Sequence, residues 1–394
     1  LAIAPLPERV WTRCWPERCA RASMQPSTAP PLAWSRRQWL ALCLGAGVGG
    51  ASGQAGAAGL AVRPLAFPRD HGSHPELRTE WWYLTGQARA GGRDLGFQLT
   101  FFRSRVPGTQ DMQSAFAARQ LLFAHAALSD TQNQRLLHEQ RIARAGFGLA
   151  QASDANTDIV LGDWSLRRSE VGGSSRYAAR MQGEAFSLDL TLSATQPLLL
   201  QGEAGISRKG PDAENLSYYV TEPQLQVGGS ITLGRERLLL QDASARAWLD
   251  HEASEAILPA SAMGWDWMGM NFSDGSALTA FQLRRTDGSA LWAGGSWRAA
   301  GGQVQTFGPS ELAFTPLRHW TSPASGARYP VAWRLDSPVG RFEVQARFDA
   351  QELDSRASTG AFYWEGLSAL RDANGRERGR GYLEMTGYAA RLAL

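Results

Sequence analysis

Cysteine is nearly missing from this 394-residue chain: Cys14, Cys19 and Cys43 are the whole supply, and all precede residue 44. The remainder can build no disulfide framework, no thiolate nucleophile and no cysteine–zinc site. Lysine is scarcer still. Lys209 is the only one among 40 basic residues, which leaves little room for amine chemistry and reads as a trait of composition. Beyond residue 58 no apolar run is long enough to span a bilayer. No Gly-rich phosphate loop opens a helix, and the Gly-x-Ser-x-Gly elbow of serine hydrolases is absent. A 3.6-residue apolar period is missing as well.

The N-terminal stretch reads as a leader over residues 1–61. Ser35-Arg36-Arg37-Gln38-Trp39-Leu40 is a twin-arginine pattern, and a weakly hydrophobic Ala/Gly-rich run follows from Leu40 to Ala58. Ala55-Gly56-Ala57 supplies the small residues a signal peptidase needs. These features predict export by the twin-arginine route to the periplasm or beyond, with an ordinary secretory signal as the alternative. Met24 stands at a suitable distance ahead of Arg36, and residues 1–23 read as a gene start placed too far upstream. Through Ala57 the leader holds six arginines and two glutamates, which leaves 34 basic and 35 acidic residues. The overall charge of +3 therefore describes the leader, and the rest carries no basic field for nucleic acid.

What is present in place of helical periodicity is alternation. Leu95, Phe97, Leu99 and Phe101 fall on one face of a strand; Phe186, Leu188, Leu190 and Leu192 repeat this, as do Phe342, Val344, Ala346 and Phe348. Gly91-Gly92, Asp274-Gly275, Asp287-Gly288 and Asn374-Gly375 mark tight turns between such runs. The pattern predicts an all-β protein of barrels or sandwiches. A faint repeat, Trp82 before Phe97-Gln98-Leu99 and Trp267 before Phe281-Gln282-Leu283, each soon followed by arginine, suggests two similar halves. The expected division is 62–240 and 241–394, with the joint within 226–241.

Chemistry concentrates in Trp248-Leu249-Asp250-His251-Glu252 and Gly264-Trp265-Asp266-Trp267. In a strand Asp250 and Glu252 share one face, His251 and Leu249 the other, and Asp266 points away from its two tryptophans. Ionisable groups among large rings have shifted pKa values, as acid–base chemistry near neutrality requires. The same residues could equally be a buried Asp250–His251 pair that pins a barrel interior. Glu80-Trp81-Trp82-Tyr83 reads as a barrel plug, with Trp82 inward and Glu80 hydrogen-bonded beside it. His71, His74 and Glu80 make a weak metal pattern, because Pro75 and the lack of a fixed element spoil it. His125 reads as a satisfied core histidine, His319 as packing between domains, and Tyr382–Thr386 as a closing strand.

Four spaced clusters carry a family resemblance: His74-Pro75 with Glu80–Tyr83; Ser217-Tyr218-Tyr219; the Trp248–Glu252 and Gly264–Trp267 stretch; and Tyr363-Trp364-Glu365-Gly366 with Gly379–Tyr388. From about Phe67 to Tyr388 the chain resembles the AttH/CrtC family, which includes carotenoid 1,2-hydratases and secreted proteins called predicted hydrolases. The resemblance implies two tandem lipocalin-like β-barrels, a long apolar ligand of lipid or isoprenoid type, no metal and no cofactor. One departure is Ala253, where the family usually carries an aromatic ring. The function expected is cofactor-independent hydration or hydrolysis. Asp266 or Asp250 would be the acid, His251 the base, Glu252 would stand beside them, and aromatic faces would stabilise a carbocation. Glu80, Trp82, Tyr219, Trp248, Trp265, Trp267 and Trp364 would line the ligand site. The alternative is a periplasmic lipid carrier, or an accessory protein of an ABC-type transporter, with no chemistry of its own.

Overall fold

The computed structural model describes residues 59–392, so the leader expectations lie outside the described residues. Every regular element among them is a strand, apart from single 3-10 turns at Arg69–His71 and Pro107–Thr109. No helix is long and apolar enough to cross a membrane among the described residues.

Two antiparallel sheets of 14 and 10 strands curl into nearly closed barrels. The first runs from Arg135–Arg144 through Gln120–Asp130, Arg93–Arg105, Thr79–Ala90, Arg246–Ser254 and Leu216–Leu233 to Phe186–Ser193. It then continues through Ser174–Gln182, Trp164–Val171 and Asp158–Leu161 to Ala150–Ala152. The second runs Val304–Phe307, Ala290–Arg298, Ala277–Arg284, Gly264–Phe272, Glu377–Met385, Phe362–Asp372, Gly340–Ala346, Arg328–Ser337, Ala313–Thr321. The chain passes between sheets after Ser254, later than the expected division at 240/241. The Arg246–Ser254 strand is needed in the first sheet, where it pairs with both Thr79–Ala90 and Leu216–Leu233.

The alternation read from sequence sets the cores. Leu95, Phe97, Leu99 and Phe101 join Phe186, Leu188, Leu190 and Leu192 inside the first barrel. Phe342, Val344 and Ala346 face inside the second with Met268, Met270 and Trp364. Gly91, Gly92, Gly275, Gly288 and Gly375 all take positive φ in the turns predicted for them. The apparent repeat, by contrast, is out of phase. Trp82, Phe97 and Leu99 point into the first barrel, whereas Trp267 and Phe281 point out of the second, toward the first.

Those outward rings form a third cluster where the barrels meet: Tyr83, Trp248, Trp267, Phe281, Leu367 and Tyr382. Polar side chains clamp the same seam. Pro223 cannot donate to a ladder, and the register slips between Glu222 and Leu225. This turns Gln224 outward, where its Nε2 donates to the carbonyls of Phe272 and Ser276 at 2.9 and 2.7 Å. Gln201 donates to Thr279 Oγ1 at 3.0 Å and accepts from Ser296 Oγ at 2.8 Å.

Candidate active site

Period-two alternation sends the Asp250 stretch in two directions, and two separate polar centres result. His251 and Leu249 face into the first barrel, while Trp248, Asp250 and Glu252 face the seam. The Asp250–His251 pair considered from sequence is therefore not formed.

The inner centre is built on Glu80, which is fully buried. Its Oε1 accepts from His74 Nδ1 at 2.7 Å and His251 Nε2 at 2.8 Å; its Oε2 accepts from Arg103 Nε at 2.8 Å and Ser73 Oγ at 3.1 Å. Burial pushes Glu80 up, but the hydrogen bonds from His251 and His74 outweigh it and hold the carboxylate well below its usual range. His251 is kept neutral, since burial lowers it more than Glu80 raises it, and its ring stacks on Trp82 at 4.6 Å. Burial lowers His74 too, yet Glu80 and Asp70 at its two nitrogens raise it above the usual imidazole value. Trp82 points inward and donates to the His71 carbonyl at 3.2 Å. The ligating atoms of His74, Glu80 and His251 lie within 4.8 Å of one another. The third member is thus His251 rather than His71. Arg103 on the second oxygen of Glu80 supplies the positive charge this carboxylate needs, so the arrangement works as a charge-balanced network that fastens residues 63–80 to the barrel end.

The outer centre is a cavity in the seam. It spans about 860 Å³ of space not filled by atoms, the solvent at its opening included. Trp81, Tyr83, Tyr219, Trp265, Trp267, Phe281 and Tyr363 supply aromatic walls; Asp250, Glu252, Glu365, Glu384, Lys209 and His125 supply polar groups. Three donors hold Asp250: Tyr219 Oη at 2.7 Å, Thr221 Oγ1 at 2.6 Å and Trp248 Nε1 at 2.8 Å. Burial nevertheless outweighs them and pushes Asp250 up to about 7. Trp267 Nε1 donates to Tyr219 Oη at 3.0 Å, so the tryptophan orients the tyrosine that orients the acid.

Glu365 and Glu384 stand directly opposite on neighbouring strands. Burial, then repulsion from Glu384, holds Glu365 well above the carboxylate range, and its Oε1 makes no hydrogen bond. Glu384, half-buried, is pushed up to about 8 by desolvation, with smaller contributions from Asp250 and Glu252, against a hydrogen bond from Trp265 and the Lys209 charge, which both lower it. Two like charges this close cannot both ionise cheaply, so the pair carries a proton at neutral pH. His125 accepts or donates at both nitrogens, with Tyr363 Oη at 2.9 Å and Ser358 Oγ at 2.7 Å, and burial holds it neutral at about 3. It is the satisfied histidine expected, yet it also lines the cavity.

The residues expected to form one site are thus distributed. Asp250, Glu252, Tyr219, Trp265 and Trp267 line the cavity, and Trp248 packs behind it. His251, Glu80 and Trp82 belong to the inner centre. Asp266 is completely buried on the inner face of the second barrel, against Arg284 and Gln282 at 2.8 Å each and Tyr388 at 2.9 Å. Trp364 points into the same barrel core and donates to the Asp349 carbonyl at 2.7 Å. His319 sits half-buried on the edge strand Ala313–Thr321 rather than in the seam. Sequence reasoning passed over Glu365, Glu384, Lys209 and Tyr363 as cavity residues. The available signal was alternation: if Trp364 points inward, Tyr363 and Glu365 must point out.

Comparison with known proteins agrees with this architecture. An AttH-type protein from Nitrosomonas europaea is 45% identical, with a TM-score of 0.76, covering 83% of this chain and 98% of that one. Kievitone hydratase from Nectria haematococca is 16% identical, with a TM-score of 0.64 and coverage of 83% and 94%. CghA, solved with Sch210972, is 11% identical, with a TM-score of 0.53 and the same coverages. These two likenesses establish the fold alone. None of the curated proteins matches. The AttH-like family model covers residues 59–388, and the chain belongs to that family.

Proposed function

We propose that the protein is a hydratase that adds water across a carbon–carbon double bond of a largely apolar ligand in the seam cavity, with no cofactor. The observation that carries this reading is the opposed pair Glu365 and Glu384 among aromatic walls, with Asp250 beside them pushed up to about 7. Protonating an alkene carbon needs an acid that stays protonated near neutrality and a site that limits free water, and burial supplies both. Glu365 or Glu384 would deliver the proton to one carbon while a carboxylate takes a proton from the attacking water. Asp266 and His251, expected from sequence as acid and base, face the two barrel interiors and are replaced in this scheme by the cavity carboxyls. One distant structural relative bears the name of a hydratase, which is compatible with such chemistry.

The test is a panel of isolated and conjugated alkenes incubated in H₂¹⁸O and read by mass spectrometry. A labelled-water adduct is expected with the native protein and should be lost in Glu365→Gln/Glu384→Gln. If no alkene gains water, the hydratase reading fails. The carrier alternative would then gain, helped by an apolar groove along Val62, Ile206, Leu216, Trp292 and Phe307 that shares Phe281 with the cavity. A carrier would hold lipid in native and doubly substituted protein alike, and a transporter partner would be sought by crosslinking. Export by the twin-arginine route, proposed from Arg36-Arg37, predicts that replacing both by lysine traps the protein in the cytoplasm; unchanged periplasmic yield would refute it.

A further inference from the structure

Lys209 is the one lysine of the chain and the only Lys or Arg side chain among the residues lining the seam cavity. It projects from the turn between Ile206–Arg208 and Leu216–Leu233, fixed there by its backbone N–H, which donates to the Asn215 carbonyl at 2.7 Å. Its ammonium contacts the Glu252 carboxylate and lies over the rings of Tyr219, Trp81 and Phe281, at 5.2, 5.5 and 5.5 Å from their centroids. The lysine side chain is 19% exposed and that of Glu252 only 4%, so the pair closes the cavity from its solvent side. An ion pair is a costly filling for an aromatic slot, because apolar residues of the same volume hold such a place at least as well. Its presence calls for a ligand that uses it.

We propose that Lys209 binds the carbonyl oxygen of the substrate, so that the alkene hydrated here is an α,β-unsaturated carbonyl compound. This rests on the hydratase reading and specifies its substrate class. Three observations lead to it. The ammonium has three N–H donors, and Glu252 engages it from one side, which leaves donor capacity for a neutral oxygen. Three of the aromatic faces that could stabilise a carbocation, those of Tyr219, Trp81 and Phe281, already hold a cation, and a second positive charge beside it is repelled, whereas a developing enolate is attracted. Asp250, Glu252, Glu365 and Glu384 surround the site, so an anionic ligand such as a free carboxylate is disfavoured relative to a neutral ketone or ester.

The addition balances without any co-reactant but water. The water oxygen bonds to the β-carbon and passes a proton to Glu252, while the π electrons move onto the carbonyl oxygen against Lys209. The resulting enolate takes a proton at its α-carbon from the Glu365/Glu384 pair, giving the β-hydroxy carbonyl product. The proton held on Glu252 then returns to the pair through solvent, and one water has been added.

Equilibrium dialysis with chalcone and 1,3-diphenylpropene tests the carbonyl site, because the two share a skeleton and differ in the oxygen. The native protein is expected to bind chalcone about tenfold more tightly, the usual effect of one charge-assisted hydrogen bond. The preference should vanish in Lys209→Met/Glu252→Gln, which leaves no stranded charge, and persist in Lys209→Arg. Equal affinities in the native protein, or an unchanged preference in the double variant, would overturn the inference. Turnover is scored separately. Hydration of an isolated alkene at an unchanged rate in Lys209→Met would keep the hydratase and overturn conjugate addition. A Lys209-dependent chalcone preference with no labelled-water adduct would support the carbonyl site and sink the hydratase reading.

Discussion

Glu80 accepts hydrogen bonds from two histidines, an arginine, a serine and a backbone N–H, all from buried residues. Arg103 is the permanent cation of that set and is itself 2% exposed; its terminal nitrogens also donate to the carbonyls of His74 and Leu77 and to Gln120. Arg103→Met keeps most of the volume but leaves the Glu80 charge undercompensated, and removing one partner of a buried pair costs about 3–5 kcal/mol. The urea midpoint should fall accordingly, while ligand binding in the folded fraction survives, since the seam cavity is on the other face of the sheet. A loss of ligand with little loss of stability would instead place the inner centre in the chemistry. At this scale the sequence was half legible. Alternation alone separated Asp250 from His251. Their partners were hidden, because Glu80 lies 171 positions from His251 and Tyr219 lies 31 from Asp250, and only sheet pairing joins them.

Strands that must face a barrel core on one side and another barrel on the other have little freedom in side-chain size. Gly96 and Gly269 show it. A Cβ on Gly96 would stand 2.6 Å from Tyr382 Oη and 2.9 Å from Leu367 Cβ, both across the seam. One on Gly269 would stand 2.3 Å from the Trp267 ring and 2.9 Å from that of Trp248. Neither residue takes positive φ, so the restriction is steric. Gly269→Ala should therefore cost about 1–3 kcal/mol by overpacking and push Trp267 off the Tyr219 hydroxyl it donates to. Gly108→Ala, with nothing within 4 Å of its added Cβ, should be close to neutral. Thermal melts with near-ultraviolet circular dichroism would compare them; equal melting temperatures would show that the seam is looser than these distances imply. Strands and hairpins were legible because their signals are local: period-two alternation and glycines at positive φ. The assignment of Arg246–Ser254 to the first sheet was not, since its neighbours on either side, Thr79–Ala90 and Leu216–Leu233, are fixed by barrel closure.

Across the whole molecule, folding carries several carboxyls from water into a seam that disfavours their charge, and stability must depend on pH as a result. Glu384 rises from an ordinary carboxylate value to about 8 and Asp250 to about 7, with Glu365 displaced in the same direction. For such groups the unfolded chain loses its proton near pH 4 while the folded protein keeps it. Between the two values the unfolded state holds fewer protons, so unfolding free energy falls as pH rises, by about 1.4 kcal/mol per pH unit for each group. Buried neutral histidines act oppositely: His71, His125 and His251 all lie below their usual value, so protonation of the unfolded chain erodes stability beneath about pH 6.5. Asp70 and Glu80, held low once their hydrogen bonds outweigh burial, weaken the fold only in stronger acid. From about pH 6.5 to 8 the carboxyls therefore act almost alone, joined with the same sign by His74, whose raised value means its contribution is lost as pH climbs through it. Urea midpoints should decline from pH 6.5 through 7.5 to 8.5. Glu384→Gln should flatten the profile twice over, by deleting one titration and by relieving the repulsion that displaces Glu365. A midpoint that stays constant or rises across this window would mean the seam carboxyls are already ionised in the folded protein. They could not then serve as proton donors at neutral pH, and the hydration chemistry would lose its acid.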